Sequence, residues 1–206
     1  MTASRARQPK TKGELTREQV IAKAAALFNQ LGYANASISD IMRATGLQKG
    51  GIYRHFESKE ALVLAAFEFA VDELGLRFEE ALAGKATAAE RLRGIIAVYA
   101  NIPTSPPVPG GCPVLNAAVE SDDADPALKR RVAKVLRDWH AFVTRLVTEG
   151  QKQRQLDARV NPAEFTTMLI AALEGAIMLS KLWNTTEPMR QVRAQLEAKI
   201  RQIELG

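Results

Sequence analysis

The chain has 206 residues, 47% of them apolar and 25% charged, and a formal net charge of +5. This composition is ordinary for a globular chain and excludes a low-complexity or wholly disordered one. A single cysteine, Cys112, excludes an internal disulfide framework and a multi-cysteine zinc site. The charge is unevenly placed: residues 1–60 carry ten Lys/Arg against five Asp/Glu, and the remainder balances at eighteen of each. A basic segment joined to a neutral one suits phosphate attraction, the sequence-independent part of nucleic-acid affinity. No apolar run is expected to reach the length of a bilayer span. The polar, basic stretch Met1 to Lys12 lacks the apolar core of a secretory signal. The expected compartment is the cytoplasm, with no membrane partner.

Residues 1–14 read as a basic, disordered arm. Thr16 and Gln19 form a capping-box pattern, followed by Val20, Ala24, Leu27, Phe28 and Leu31 at helical spacing, with Gly32 as the stop. Ser37 caps a short helix over about 38–45, Gly46 breaks it, and a second short helix covers about 48–56. Ser58 caps a long helix through about Ala83. Thr87 and Glu90 open the next. The stretch from Pro103 to Pro113 holds five prolines and two glycines, so regular helix is not expected there. Asp125-Pro126 and Asn161-Pro162 each pair a capping residue with proline at the first helical position, and Pro188 opens the last helix. The fold class is all-α with about nine helices. Domains are expected at 15–60, a helix-turn-helix, and 61–206, a helical bundle.

Within 37–59, two short helices flank Gly46-Leu47. Ile41 and Ile52 would pack together and Leu47 would plug the corner, which is helix-turn-helix construction. The second helix offers Gln48, Lys49, Tyr53, Arg54 and His55 outward. Gly50 and Gly51 each cost about 1 kcal/mol relative to alanine inside a helix. Keeping both suits either close backbone approach to something bulky, such as DNA, or a merely weak helix start.

The stretch from Ile38 to Leu62, with its pattern Gly46-x-x-Lys49-Gly50-x-x-Tyr53-x-His55-Phe56-x-Ser58-Lys59-Glu60-Ala61-Leu62, resembles the DNA-binding signature of the tetracycline-repressor (TetR) family. The preceding Leu27-Phe28 and Leu31-Gly32-Tyr33 resemble it too. Gly51 departs from the small hydroxyl or alanine side chain common there. The resemblance implies phosphate contacts by Ser37, Lys49, Tyr53, His55 and Lys59. It also implies a double-stranded DNA operator as partner and a homodimer through helices at about 162–184 and 188–204. Gln48, Lys49 and Arg54 are candidates for base edges, because glutamine pairs with adenine and Lys or Arg with guanine. A two-fold dimer reads half-sites roughly 34–36 Å apart.

The family's C-terminal bundles take small-molecule effectors, so an unknown effector is expected here. Candidate pocket residues are Tyr99, Cys112, Asn116, Trp139, His140, Phe142, Met168, Glu174, Met178 and Trp183, with ordinary core packing as the competing role. The segment Gly110-Gly111-Cys112-Pro113-Val114-Leu115-Asn116 resembles a Gly-Cys-(Pro/Leu)-x-x-Asn element of one branch of the family, in some members of which the cysteine responds to oxidants or electrophiles. Cys112 precedes an expected helix start, which favours thiolate, so a sensing thiol and a packed one both stay open. No nucleophile-elbow, phosphate-loop, dinucleotide or zinc-protease motif occurs, so no metal, cofactor or catalytic residue is expected. The expected function is a repressor released from a palindromic operator by its effector. An activator or effector-independent regulator is the alternative, and an enzyme pairing Cys112 with His140 is a remote one.

Overall fold

The structure is a computed structural model that describes residues 11–121 and 125–205. Among these are nine helices: α1 (Lys12–Leu31), α2 (Ile38–Thr45), α3 (Lys49–Tyr53), α4 (Lys59–Leu82), α5 (Ala88–Asn101), α6 (Pro113–Ser121), α7 (Pro126–Lys152), α8 (Pro162–Leu182) and α9 (Glu187–Ile203). The described residues hold no strand, only two isolated bridges, Val108 with Gly111 and Leu156 with Glu204.

Most helix starts follow local capping chemistry. Ser37 with Asp40 and Thr87 with Glu90 form reciprocal capping boxes. Asp125 and Asn161 each accept two backbone N–H bonds at the starts of α7 and α8. These side chains satisfy amides that the helix itself leaves unpaired. The first helix differs from expectation. Its box is Thr11 with Glu14, and Thr16 instead donates to the Lys12 carbonyl at 2.9 Å. Residues 11–14 are therefore cap and helix, while the expected arm over 1–10 lies outside the described residues. Two box patterns stand five residues apart, and the earlier one starts the helix because nothing between them interrupts it. α3 is shorter than expected: beyond Tyr53 the chain tightens, with both His55 and Phe56 N–H donating to the Ile52 carbonyl.

α1 packs along α4 and against α2, and α2 packs on α3. Ile41 and Ile52 are fully buried between them, and Gly46 takes a left-handed turn at φ 73°. The second half packs α5 against α4, α7, α8 and α9, with α6 on α7 and α8 beside α9. α4 belongs to both halves. It starts beside the short helices and buries Leu74 and Phe78 in the second bundle.

α8 corrects the expectation about apolar length. Its 21 residues, with a mean hydropathy of 1.5 over the most apolar stretch, are long and apolar enough to cross a bilayer by length and composition alone. Phe165, Leu169, Leu173, Ala176 and Ile177 bury one face against the bundle. Another face leaves Met168, Met178 and Leu182 exposed, with Trp183 just beyond.

Candidate DNA interface and effector cavity

The first half builds a rigid corner that presents one surface. Ser37 Oγ accepts from the Asp40 N–H, so the same residue proposed for phosphate contact caps α2. Gln48 occupies the N-cap position of α3 without a side-chain capping bond. Gln48, Lys49, Tyr53 and Arg54 are exposed, and His55 and Lys59 are half-buried. The Lys49 ammonium lies 5.9 Å from the Tyr53 ring centroid, which groups a cation and a phenol on one face. Lys59 opens α4 and donates to the Ala34 carbonyl at 3.3 Å. Phe56 is buried, with the Arg17 guanidinium 5.1 Å above its ring.

The two glycines of α3 are informative. A Cβ on Gly50 would meet nothing in the protein, and one on Gly51 would meet only the Leu47 side chain at ordinary contact distance. The chain's own packing does not demand either glycine. A demand for bare backbone at this surface has to come from outside the chain, or be absent.

The second half holds an open cavity of about 830 Å³ between α4, α5 and α7, with Val114 of α6 also lining it. That size lies within the range of small-molecule sites. Its aromatic wall runs through three contacts: Phe78 to Tyr99 at 5.6 Å, Phe78 to Trp139 at 4.3 Å, and Trp139 to Phe142 at 5.4 Å between centroids. Trp139 Nε1 is buried without a hydrogen-bond partner. Charged side chains of Glu79, Arg91, Arg131, Lys134 and Asp138 also line the cavity, two of them joined as the Lys134–Asp138 ion pair. Leu74 and Phe78 are lining residues that the sequence reading did not name. The i, i+4 spacing of Leu74, Phe78 and Leu82 was the available signal.

The expected pocket residues separate into groups. Tyr99, Trp139 and Phe142 line this cavity. His140 and Glu174 line a second, smaller one of about 340 Å³ between α6, α7 and α8. Asn116 turns toward α1, and its amide donates to Asn29 Oδ1 at 2.8 Å. Met168 and Met178 stand on the exposed face of α8, and Trp183 follows its end.

Cys112 is buried, and its Sγ donates to Glu174 Oε1 at 3.2 Å. Desolvation, then the nearby Glu174 carboxylate, push the thiol well above its ordinary pKa despite its place at a helix start. The local N-terminal amides help the thiolate less than burial opposes it. His140 does not pair with Cys112: its Nε2 lies 3.0 Å from Thr167 Oγ1, and its Nδ1 is 3.4 Å from Thr144 Oγ1.

Comparison with known proteins agrees with this architecture. Residues 20–66 match the description "Bacterial regulatory proteins, tetR family", and residues 88–196 match "Tetracyclin repressor-like, C-terminal domain". The chain is 30% identical to the HTH-type transcriptional repressor ComR of Escherichia coli over 175 residues, covering 78% of this chain and 80% of ComR. It is 24% identical to the repressor DhaR of a Mycobacterium species over 176 residues, 85% of this chain and 87% of DhaR. A TetR transcriptional regulator of Chloroflexus aurantiacus superposes with a TM-score of 0.92 at 43% identity, over 95% of this chain and 99% of that one. With both halves matched and the helix-turn-helix and bundle in place, the chain belongs to the TetR family of bacterial transcriptional regulators.

Proposed function

We propose that the protein is a homodimeric, cytoplasmic repressor that leaves a palindromic operator when a small molecule fills the 830 Å³ cavity. The observation that carries the DNA half is the outward surface of Gln48, Lys49, Tyr53 and Arg54 around glycines that no internal contact requires. Gln48, Lys49 and Arg54 would read base edges. Ser37, Tyr53, His55 and Lys59 would fix the register on phosphates, and the bare backbone at Gly50 and Gly51 would lie close to DNA. The reader covers about 15–60, and 61–206 senses and dimerises. Relatives named as repressors, ComR and DhaR, support the sign of the regulation.

The exposed apolar face of α8, with Met168, Met178, Leu182 and Trp183, supports the dimer. Exposed apolar area of this kind on a long helix is stabilised by a like helix, and α9 packs alongside α8. α4 begins with Lys59 at the reader and ends at Leu82 in the cavity wall. An occupant that displaces α4 would change the separation of the two reading helices. Linkage then requires operator DNA to weaken effector binding by the same factor.

The test is fluorescence anisotropy with fragments flanking the chain's own gene, followed by selection from genomic fragments. Tight binding to a near-palindromic site, lost in Arg54→Ala, is the expected result. A folded dimer that selects no site from a whole genome would overturn the reading.

A further inference from the structure

Gly75 is a helix-interior glycine that the protein's own packing does not explain. It sits well inside α4, where glycine costs about 1 kcal/mol relative to alanine. A Cβ there would meet nothing within 4 Å. Gly94 and Gly150 are different: a Cβ on Gly94 would stand 2.9 Å from the Ala81 carbonyl, and one on Gly150 would stand 2.5 Å from the Ala88 side chain. Neighbouring helices require those two. Gly175 also meets nothing, but it lies at helical spacing with Met168, Met178 and Leu182 on the face of α8 that the dimer reading covers. Gly75 lines the 830 Å³ cavity instead.

That cavity is a groove with α4 and α7 as two of its walls. Val71, Gly75, Phe78 and Leu82 line it from α4, and Val135, Trp139 and Phe142 from α7. Each set is one stripe at helical spacing. Side chains bridge the groove twice. Arg131 Nε donates to Glu68 Oε1 at 2.9 Å, and Phe78 meets Trp139 at 4.3 Å between centroids. The order of these bridges makes the two helices run in the same direction. Gly75 falls between the bridges on one helix, as Val135 does on the other. Trp139 and Phe142 lie within 17° of parallel, and Phe142 is 36% exposed, so their stack stays open to another ring. None of the described lining residues comes from α8 or α9, so a dimer through those helices leaves the groove open.

The charges along the groove balance. Arg131 is paired with Glu68 and Lys134 with Asp138. Arg91 and Glu79 remain, both exposed and of opposite sign. The groove therefore selects no net charge.

We propose that this groove takes an uncharged, planar aromatic molecule of about two or three fused rings, lying against the bare backbone at Gly75 with its edge toward Phe78 and Trp139. A side chain at position 75 would hold such a body off the wall. A flat ring system also gains offset or edge-to-face contacts with the aromatic wall that a puckered one of equal size lacks. The proposal rests on the reading of this cavity as the effector site and adds the ligand's chemical class.

The experiment is calorimetric titration of the full chain at neutral pH with four probes. Naphthol is flat and uncharged, decahydronaphthol keeps its skeleton and hydroxyl but is puckered, and naphthoate and naphthylmethylammonium add a charge of either sign. Expected is submillimolar binding of naphthol, with each of the other three at least about fivefold weaker. Gly75→Leu, whose side chain would occupy the slot, should not lower the melting temperature and should weaken naphthol binding at least about tenfold. Gly75→Ala, which adds one methyl to open space, should keep the melting temperature and weaken naphthol by a smaller factor. Equal binding of the flat and puckered alcohols, tighter binding of either ion, no naphthol binding at millimolar concentration, or unchanged naphthol affinity in both Gly75 variants each overturns the proposal. Anisotropy with the selected operator separates it from the effector reading. Naphthol binding with these preferences but without operator release supports the ligand class and overturns only the effector role. Release by the puckered or a charged probe, with naphthol inactive, keeps the effector role and overturns the ligand class.

Discussion

The Asn116 side-chain amide donates to Asn29 Oδ1 at 2.8 Å and to the Asn29 carbonyl at 3.1 Å, joining α6 of the sensor bundle to the end of α1. The Asn29 amide in turn donates to the carbonyls of Val108, Pro109 and Gly111. Glu120, also on α6, accepts the Tyr33 N–H at 2.6 Å. The segment that these bonds hold leads directly into the Ser37 cap of α2. Sensor and reader therefore meet at two places, along α4 and across this polar clamp.

Asn116→Ala leaves the buried Asn29 Oδ1 without this donor, so a loss of about 1–3 kcal/mol in unfolding free energy is expected. Urea denaturation measures it. The same variant should bind operator DNA more weakly at a temperature where it is fully folded, since the end of α1 is released. Unchanged stability together with unchanged DNA affinity would dismiss the clamp as a coupling element.

Two glycines should respond in opposite ways. Gly110 has φ +118°, and a Cβ there would stand far inside contact distance of the Asn29 carbonyl. Gly110→Ala should destabilise by at least about 1–3 kcal/mol. Gly50→Ala meets nothing in the protein and should leave the melting temperature unchanged or slightly higher, by the helix propensity gained. Its operator affinity should fall at least about tenfold, because the added methyl would meet DNA. Retained affinity would show that the start of α3 does not lie against DNA.

Cys112 should react slowly in the folded protein. Burial and Glu174 keep it a protonated thiol well above neutral pH, and the thiolate is the nucleophile. Iodoacetamide at pH 7.5, followed by mass spectrometry, should label it readily in urea and poorly without. Fast native labelling would mean that the loop before α6 opens often.

Glu174→Gln should stabilise the protein in a pH-dependent way. The folded carboxyl is raised to about 7 from 4.5, so the folded state binds more protons than the unfolded one between those values. Its contribution to stability is complete below pH 4.5 and is lost as pH rises through about 7. Replacing it should therefore gain up to about 3 kcal/mol at pH 8 and almost nothing at pH 4.5. Thermal melts across that range read the difference, and a gain that is flat with pH would refute the burial account.

The sequence alone determined what depends on neighbours along the chain. Helix starts at Ser37, Ser58, Thr87, Asp125 and Asn161 are legible because a capping side chain bonds amides two or three residues ahead. The helix-turn-helix was legible because Ile41, Gly46 and Ile52 fix the corner within twelve residues. Even here local chemistry left one ambiguity, since Thr11 and Thr16 both head capping patterns and no described residue before Val20 is buried to choose between them. Only the tertiary structure decided which bundle residues meet. Helical spacing groups residues on a face but does not say what the face touches. Trp139 and His140 are adjacent in sequence, yet one turns to Phe78 and the other to Thr167. Cys112 acquires its partner 62 residues away, and Asn29 finds Asn116 87 residues away. Such pairs form only when apolar burial has brought distant helices together. The thiol that local sequence placed at a favourable helix start is thereby held protonated.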